Sequence, residues 1–362
     1  MTTIPIELRA AAVRREQLRA HARDLGIDGA LVYSRRRSAV TWLSGYTPGF
    51  ISHSAALWVP TEGETVLGVT FPFEVDRARQ AGLRTVAIDS PVDLLPERAS
   101  SIGLLCRDLV VDEATPELFQ QLAARGVRHV DLASWAAEAR EVKTPEEVTA
   151  LTAAARIGDL ALRAATASPG ETDYVVAARV EAAARAAGAH RCLCLVGFGN
   201  GSFVTEATGQ RLEAGQVVGL EVSLYAFGCF MHVNTTLPPM PAQETVTDAV
   251  GLCRSARAAI LESLTPGTGV DDVVKAGDAV LSQHGLLRFK EYDFGHGLGC
   301  DTPEYPRLIP GTGRTVRSGA VLAVHVMLRR PGGETAMLGG PVVVEPAGAR
   351  ELLPEAVWAD PH

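Results

Sequence analysis

The sequence predicts an α/β (α+β) protein of two domains. Helix and strand patterns alternate through residues 7–143, a helix-start signal follows, and paired helices then alternate with β-rich segments. The 362 residues exceed the roughly 150 of a typical domain. With 47% hydrophobic and 21% charged residues, the chain has enough apolar mass to bury a sizeable core.

The first domain is predicted to begin with a helix that ends at Gly26, because glycine commonly follows the last helical turn. Apolar runs bounded by turn residues predict three strands, "GALVYS", "AALWVP" and "ETVLGVTF". Two further helices are expected over "DEATPELFQQLAARG" and "HVDLASWAAEAREVK". No segment of this domain has the glycine spacing of a nucleotide-binding loop.

A capping box marks the start of the second domain. Thr144 is followed three residues later by Glu147, and Pro145 suits the first helical position. We therefore predict one domain over residues 1–142 and another over residues 143–362.

Within the second domain, two helices should precede a β-rich segment at about 191–237. Two more helices are expected at about 244–264 and 270–285, and a final β-rich region at roughly 289–345.

Composition excludes several classes of partner and location. The net charge of −8 argues against nucleic acid, whose binding needs a basic surface. No apolar run approaches the ~18 residues of a membrane span, and the N-terminus lacks the apolar core of a secretory signal. Six cysteines without a disulfide-like framework suggest reduced thiols, so we expect a cytoplasmic protein.

The stretch "EVSLYAFGCFMH" places a carboxylate and an imidazole at the two ends of a hydrophobic hairpin, Glu221 and His232. Two further histidines have apolar or glycine-rich surroundings, His296 in "DFGHGLGC" and His325 in "VLAVHVML". Any one of them could be a core histidine with a hydrogen-bond partner. Sequence spacing alone does not join the three into one site.

Several segments, in this order, resemble the pita-bread enzymes, which include methionine aminopeptidases, prolidases and creatinase. The segments that carry the resemblance are "REVKTPEEVTALTAAARIGDLAL", "LEAGQVVGLEVSLYAFGCFMHVNTTL", "LTPGTGVDDV", "GHGLGCDTPEYP" and "VRSGAVLAVHVMLRRPGGETAMLGGPVVVEPAGARELL". The segment "YSRRRSAVTWLSGYTPGF" resembles part of the creatinase-type N-terminal domain. The resemblance covers roughly residues 10 to 355. It implies a creatinase-type α/β domain followed by a pita-bread catalytic domain.

The family's metal site implied by this resemblance has five ligands, Asp, Asp, His, Glu and Glu. Their positions here hold Glu221, His232, His296, His325 and Gly339, so one of the five is retained. Three imidazoles suit one borderline metal ion such as Fe(II), Zn or Cu better than a pair of hard ions. We expect a mononuclear three-histidine site, in which Glu221 is a fourth ligand or a base.

Two other positions also depart from the family pattern. A substrate-holding histidine is replaced by Pro303, and an arginine of the hairpin motif by Thr235. The histidine that creatinase uses has no counterpart in "FVTEATGQR". We therefore expect neither a general peptidase nor a copy of creatinase.

Further site residues are assigned by position. Tyr225 or Glu304 would orient substrate, Asn234 would face the same cavity as His232, and Arg329 would bind a substrate carboxylate. The resemblance also implies a homodimer. In it Tyr46 and Phe50 would face the partner subunit's active site and contact substrate.

These predictions point to an enzyme acting on a small molecule. The family favours hydrolysis of a C–N bond in an amide, imino-acid or amidino group. An oxygenase or lyase using Fe(II) or Cu is the alternative, because a three-histidine site leaves positions for O₂ and a chelating substrate. A third possibility is a metal-free acid–base enzyme or an inactive binding protein.

Overall fold

The computed structural model divides the chain into two compact units, Met1–Arg140 and Glu141–His362. The sequence prediction put the boundary two residues later. The described residues are 6–34, 38–49, 53–106, 114–199, 204–237, 244–329 and 335–353.

The first unit is built on a six-stranded mixed sheet in the order β4-β3-β2-β1-β5-β6. Its elements are α1 (Ile6–Asp24), β1 (Gly29–Ser34), α2 (Ser38–Ser44), β2 (Ala55–Pro60), β3 (Val66–Val69), α3 (Val75–Ala78), β4 (Arg84–Ala87), β5 (Ser101–Leu105), α4 (Pro116–Ala124), β6 (Arg128–Asp131) and α5 (Ala133–Glu141). Short 3₁₀ turns cover Pro72–Glu74, Arg79–Ala81 and Pro91–Leu94. Strands β1, β2 and β3 pair antiparallel, whereas β4, β5 and β6 add in parallel.

One sequence prediction in this unit is wrong. The helix expected over "HVDLASWAAEAREVK" begins only at Ala133, because the preceding residues form strand β6 beside β5. The Leu132 N–H donates to the Leu104 carbonyl at 3.0 Å, which extends the strand pairing. The Asp131 carboxylate then accepts from the Ala133 N–H at 2.8 Å, so the helix starts there.

The second unit is built on an eight-stranded antiparallel sheet, β11-β10-β12-β13-β9-β8-β7, with β14 paired to β13. Its elements are α6 (Pro145–Arg163), α7 (Asp173–Ala186), β7 (Arg191–Phe198), β8 (Val218–Ala226), β9 (Cys229–Leu237), α8 (Glu244–Ser263), α9 (Val270–Gln283), β10 (Gly295–Gly297), β11 (Glu304–Arg307), β12 (Val321–Arg329), β13 (Thr335–Glu345) and β14 (Gly348–Glu351). A 3₁₀ turn covers Leu287–Phe289. The helix pairs predicted for this unit are confirmed.

Helix α6 begins at the predicted capping box. The Glu147 N–H donates to the Thr144 hydroxyl at 3.2 Å, and the Thr144 N–H donates to the Glu147 carboxylate at 2.8 Å. Helix α6 packs on β8 and β9, while α8 packs on β12 and β13. The helices therefore cover one face of the sheet.

Strand alternation assigns the other face to the polar residues. Leu224 and Val233 lie against Gly158 of α6, where a Cβ would touch both side chains. Because successive side chains of a strand point to opposite faces, Glu221 and His232 lie on the face away from α6.

All six cysteines lie in the described ranges, are buried and form no disulfide, as the sequence predicted. Among the described helices, none is long and apolar enough to cross a membrane.

Candidate metal centre

A tight hairpin fixes how β8 and β9 align. Its two turn residues, Phe227 and Gly228, have φ values of 52° and 72°, and two successive residues with positive φ form the turn that matches strand twist. The turn sets Glu221 opposite Asn234 and places His232 opposite Ser223. A slip of one residue would move these side chains to the helix-covered face.

Four neighbouring strands place Glu221, Asn234, Gly339 and His325 in one row across the sheet. Asn234 of β9 is paired with Glu221 on one side and with Gly339 of β13 on the other. Gly339 is in turn paired with His325 of β12. Cross-strand neighbours on one face lie close enough to interact, so this row brings distant parts of the sequence together.

His296 enters from β10, where the backbone runs unusually close to β12. A Cβ at Gly295 would lie 2.0 Å from the Ala323 carbonyl oxygen, so this position requires glycine. His296 pairs with Ala323 in the ladder, and its Nδ1 lies 2.9 Å from the Gly297 carbonyl oxygen. That contact orients the ring and leaves Nε2 for another partner.

The three histidines form a single buried cluster. Ring centroids are 5.0 Å apart for His232 and His296, 5.6 Å for His232 and His325, and 5.9 Å for His296 and His325. One nitrogen from each ring lies within 4.8 Å of the other two. Among the described residues, this is the group of ligand side chains that could surround a metal ion.

All three imidazoles are neutral near pH 7. Burial lowers the pKa of each ring, and the nearby His296 lowers the pKa of His232 and His325 further. The pKa of His325 falls to about 4. Neutral imidazoles keep the lone pair that a metal ligand needs.

A second, independent observation indicates that the three imidazoles suit a divalent metal ion. The Nε2 atom of His232 is buried and has no hydrogen-bond partner among the described residues. A buried polar atom without a partner costs free energy, and an ion between the rings would satisfy it. Imidazole ligands suit Zn, Cu, Fe and Ni.

Glu221 lies beside this group and outside it. Its Oε1 is 3.9 Å from His232 Nδ1, and among the described residues its two oxygens accept long bonds of 3.4 Å from the Ser223 hydroxyl and the Asn234 amide. Burial raises the pKa of the Glu221 carboxyl. This geometry favours Glu221 as a neighbour of His232 rather than as a fourth metal ligand.

Asn234 occupies the space that a side chain at position 339 would need. A Cβ on Gly339 would lie 2.4 Å from Asn234 Oδ1 and 2.3 Å from the His325 Cβ. Asn234 Oδ1 is buried without a partner among the described residues. Asn234 therefore lies on the same face of the sheet as His232, and its assignment to a shared substrate cavity stays a prediction.

Two aromatic side chains, Phe230 and Tyr225, lie next to the histidine cluster. The ring of Phe230 lies 5.9 Å from that of His232 and 5.1 Å from that of Tyr225. Tyr225 is 37% exposed, so it stands at the rim of the site. Its assignment to substrate stays a prediction.

Glu304 has a full set of partners. Its Oε2 accepts from Lys143 Nζ at 2.9 Å, and its Oε1 accepts from the backbone N–H groups of Cys300 at 3.0 Å and Asp301 at 3.2 Å. Both side chains of the ion pair are almost fully buried. The structure gives Glu304 a role in holding the loop after β10, whereas a role in orienting substrate stays a prediction.

Two other predicted substrate contacts have different surroundings. Arg329 Nε lies 3.1 Å from Glu291 Oε1, so its charge is already matched by a carboxylate. Tyr46 belongs to the first unit, where it is buried and its hydroxyl accepts from Arg77 Nη2 at 3.3 Å. Phe50 lies outside the described residues. The homodimer in which Tyr46 and Phe50 would act stays a prediction.

Sequence analysis missed one acid at the cluster, Asp293. Its Oδ1 lies 3.9 Å from His325 Nε2, and its Oδ2 accepts from Arg307 Nη2 at 2.9 Å. The available signal was an acidic residue three positions before His296 in "DFGHG". That position gave no indication of contact with His325.

The chain matches two family descriptions. Residues 149–346 match metallopeptidase family M24, and residues 14–142 match the creatinase/prolidase N-terminal domain. An Xaa-Pro dipeptidase of Pyrococcus furiosus is 23% identical over 224 residues, which cover 59% of this chain and 63% of that protein, less than two thirds of its length. An uncharacterized peptidase of Bacillus subtilis is 25% identical over 322 residues, covering 85% and 86% of the two chains.

A solved structure extends the match in three dimensions. The prolidase from Pyrococcus horikoshii superimposes with a TM-score of 0.81 at 17% identity, covering 94% of this chain and 97% of that one. At this identity the likeness concerns the fold. Together with the two family matches, it confirms the expected creatinase-type domain followed by a pita-bread domain.

Proposed function

Because the chain belongs to metallopeptidase family M24, we propose that it is a hydrolase that cleaves a C–N bond of a small molecule with one divalent metal ion. The observation that carries the proposal is the buried cluster of three neutral imidazoles. His232, His296 and His325 would hold the ion. When bound, it supplies a Lewis acid that polarises the carbonyl or related group under attack.

Glu221 is the base in this proposal. Its carboxylate is partly buried next to His232, and its raised pKa makes it a better proton acceptor than a fully exposed carboxylate would be. Ser223 and Asn234 hold its two oxygens from neighbouring positions of the sheet. Tyr225 stands at the rim, where it would contact the substrate before the substrate reaches Glu221.

The proposed substrate is an amide, imino-acid or amidino compound and not a general peptide. Pro303 and Thr235 offer neither the imidazole nor the guanidinium expected at their positions from the resemblance. Arg329, the remaining predicted cation, already lies beside Glu291. These replacements support a substrate without the charged groups of an ordinary peptide.

The test is hydrolysis of a panel that contains Xaa-Pro dipeptides, N-acyl amino acids, simple amides and amidines. Each is assayed with Zn, Fe(II) or Cu and again after chelation, for the parent and for His232→Ala. His284→Ala, at an exposed histidine, is the control. We expect metal-dependent cleavage that His232→Ala abolishes and His284→Ala retains.

Two results would contradict the proposal. Turnover that survives both chelation and His232→Ala would point to metal-free acid–base chemistry. Consumption of O₂ with substrate would favour the oxidative alternative.

A further inference from the structure

Asp293 is a largely buried carboxylate for which the proposed hydrolysis has no role. Its side chain is 12% exposed, and it lies just before β10, the strand that carries His296. Burying a carboxylate is costly unless it has partners. Its two oxygens face different groups, Arg307 on one side and His325 on the other.

The pairing with Arg307 does not by itself explain where Asp293 lies. Arg307 is 45% exposed, and an ion pair with an exposed partner contributes little stability. An acid needed only for that pair could equally lie at the surface. Instead, Oδ1 points inward to within 3.9 Å of His325 Nε2, a distance that a small rotation or one bridging water closes.

The neighbouring histidine shows how such a contact works. His296 is oriented by its own outer contact, from Nδ1 to the Gly297 carbonyl oxygen at 2.9 Å. Histidines that bind metals almost always give their second ring nitrogen to a carboxylate, carbonyl or water, which fixes the ring and its tautomer. Asp293 is the carboxylate beside His325, and it lies outside the group of mutually close ligand atoms.

We propose that Asp293, held by Arg307, is a positioning residue that orients His325 for metal binding. The inference rests on the proposed function, since it assigns Asp293 to the same metal site. It differs from a purely structural ion pair, because that alternative predicts unchanged metal affinity when Asp293 loses its charge.

The experiment measures Co(II) affinity and the visible spectrum of bound Co(II) in parent, Asp293→Asn and Asp293→Glu, with chelator competition. Asp272→Asn is the matched control, because Asp272 also pairs with a basic side chain, Lys275, but lies on the exposed side of α9. We expect Asp293→Asn to weaken Co(II) binding about 10- to 100-fold. At saturating Co(II) it should keep the parent's coordination spectrum, while Asp293→Glu recovers part of the affinity and Asp272→Asn matches the parent.

Arg307→Gln is a second variant that leaves the carboxylate in place. We expect it to shift Co(II) affinity in the same direction as Asp293→Asn and by a smaller factor. Parent-like affinity in both Asp293→Asn and Arg307→Gln overturns the inference and leaves the proposed function standing. A changed spectrum at saturation in Asp293→Asn also overturns it, because Asp293 would then be a ligand. A parent protein that binds no Co(II) overturns both.

Discussion

Glu304 lies on β11, an edge strand of the sheet, and Glu221 lies on β8, next to the opposite edge. The surroundings of these two carboxylates differ. Glu304 accepts a charged bond from Lys143 at 2.9 Å and two backbone bonds. Glu221 accepts two bonds of 3.4 Å and lies 3.9 Å from an imidazole. A carboxylate with strong, short partners is part of the fold, whereas one with weak partners is available to a substrate or a proton.

The largest effect should come from breaking the Glu304 pair. Lys143→Met leaves a buried carboxylate without its counter-ion, which costs about 3–5 kcal/mol of unfolding free energy. The measurement is chemical denaturation of the purified variant. The double variant Lys143→Met/Glu304→Gln removes both charges and should recover much of the loss. Equal stability of the single variant and the parent would refute this account of Glu304.

A somewhat smaller effect should appear as pH dependence. The pKa of His325 is lowered from 6.5 to about 4 in the folded state, so the unfolded chain binds more protons between these values. The unfolding free energy of the metal-free protein should therefore fall as the pH drops through this window, by on the order of 3 kcal/mol for this one group. Above pH 6.5 His325 causes no such loss of unfolding free energy, because it is neutral in both the folded and the unfolded chain.

Other groups titrate in the same window, so the His325 contribution is measured by difference. His325→Gln should flatten the pH profile of stability between pH 6.5 and about 4. His284→Gln, at an exposed histidine, is the control variant measured under the same conditions. Parallel profiles for His325→Gln and the parent would contradict the lowered pKa.

Filling the space beside Asn234 should lower the unfolding free energy by less than the two changes described above. Gly339→Ala forces a methyl group against Asn234 Oδ1 and the His325 Cβ, and such overpacking costs about 1–3 kcal/mol. Gly251→Ala is the control, because its Cβ would meet no atom within 4 Å and it lies within α8. That control should be neutral or slightly stabilising. The two variants are compared by thermal denaturation. Equal midpoints for Gly339→Ala and Gly251→Ala would contradict the predicted overpacking.

The smallest effect on stability should come from Glu221→Gln, in contrast to Glu304. Its pKa is raised in the folded state, so the ionised carboxylate slightly destabilises the fold at neutral pH. Its replacement should change the unfolding free energy by less than about 1 kcal/mol. Activity should nevertheless fall by about 10²- to 10⁴-fold if Glu221 is the base. A large loss of stability together with full activity would reverse the comparison.

Sequence analysis predicted the hairpin and the histidines for a physical reason. Glu221 and His232 lie on the two arms of a hairpin whose turn glycine is visible in the sequence, so their approach depends on local geometry. His296 and His325 were joined to His232 only by the resemblance to a family, which assigns all three to ligand positions of one metal site.

The roles of the two acids could not be distinguished in the same way. Glu304 looks like a site residue because it follows the glycine-rich segment of His296. Its partner Lys143 lies 161 residues away, and their pairing depends on tertiary packing. Asp293 was missed for the same reason, since its contact with His325 links a loop to a strand that is distant in sequence. Strand β6 was missed because its residues pair only once β5 is in place.

The most direct test of the central claim is the metal content of the protein purified without a polyhistidine tag or chelator. Parent and His325→Ala are equilibrated with Zn, Fe(II) or Cu, desalted and measured by elemental analysis. The three-histidine cluster predicts close to one equivalent per parent chain and a large loss in His325→Ala. Two equivalents in the parent, none, or equal binding by the variant would contradict it.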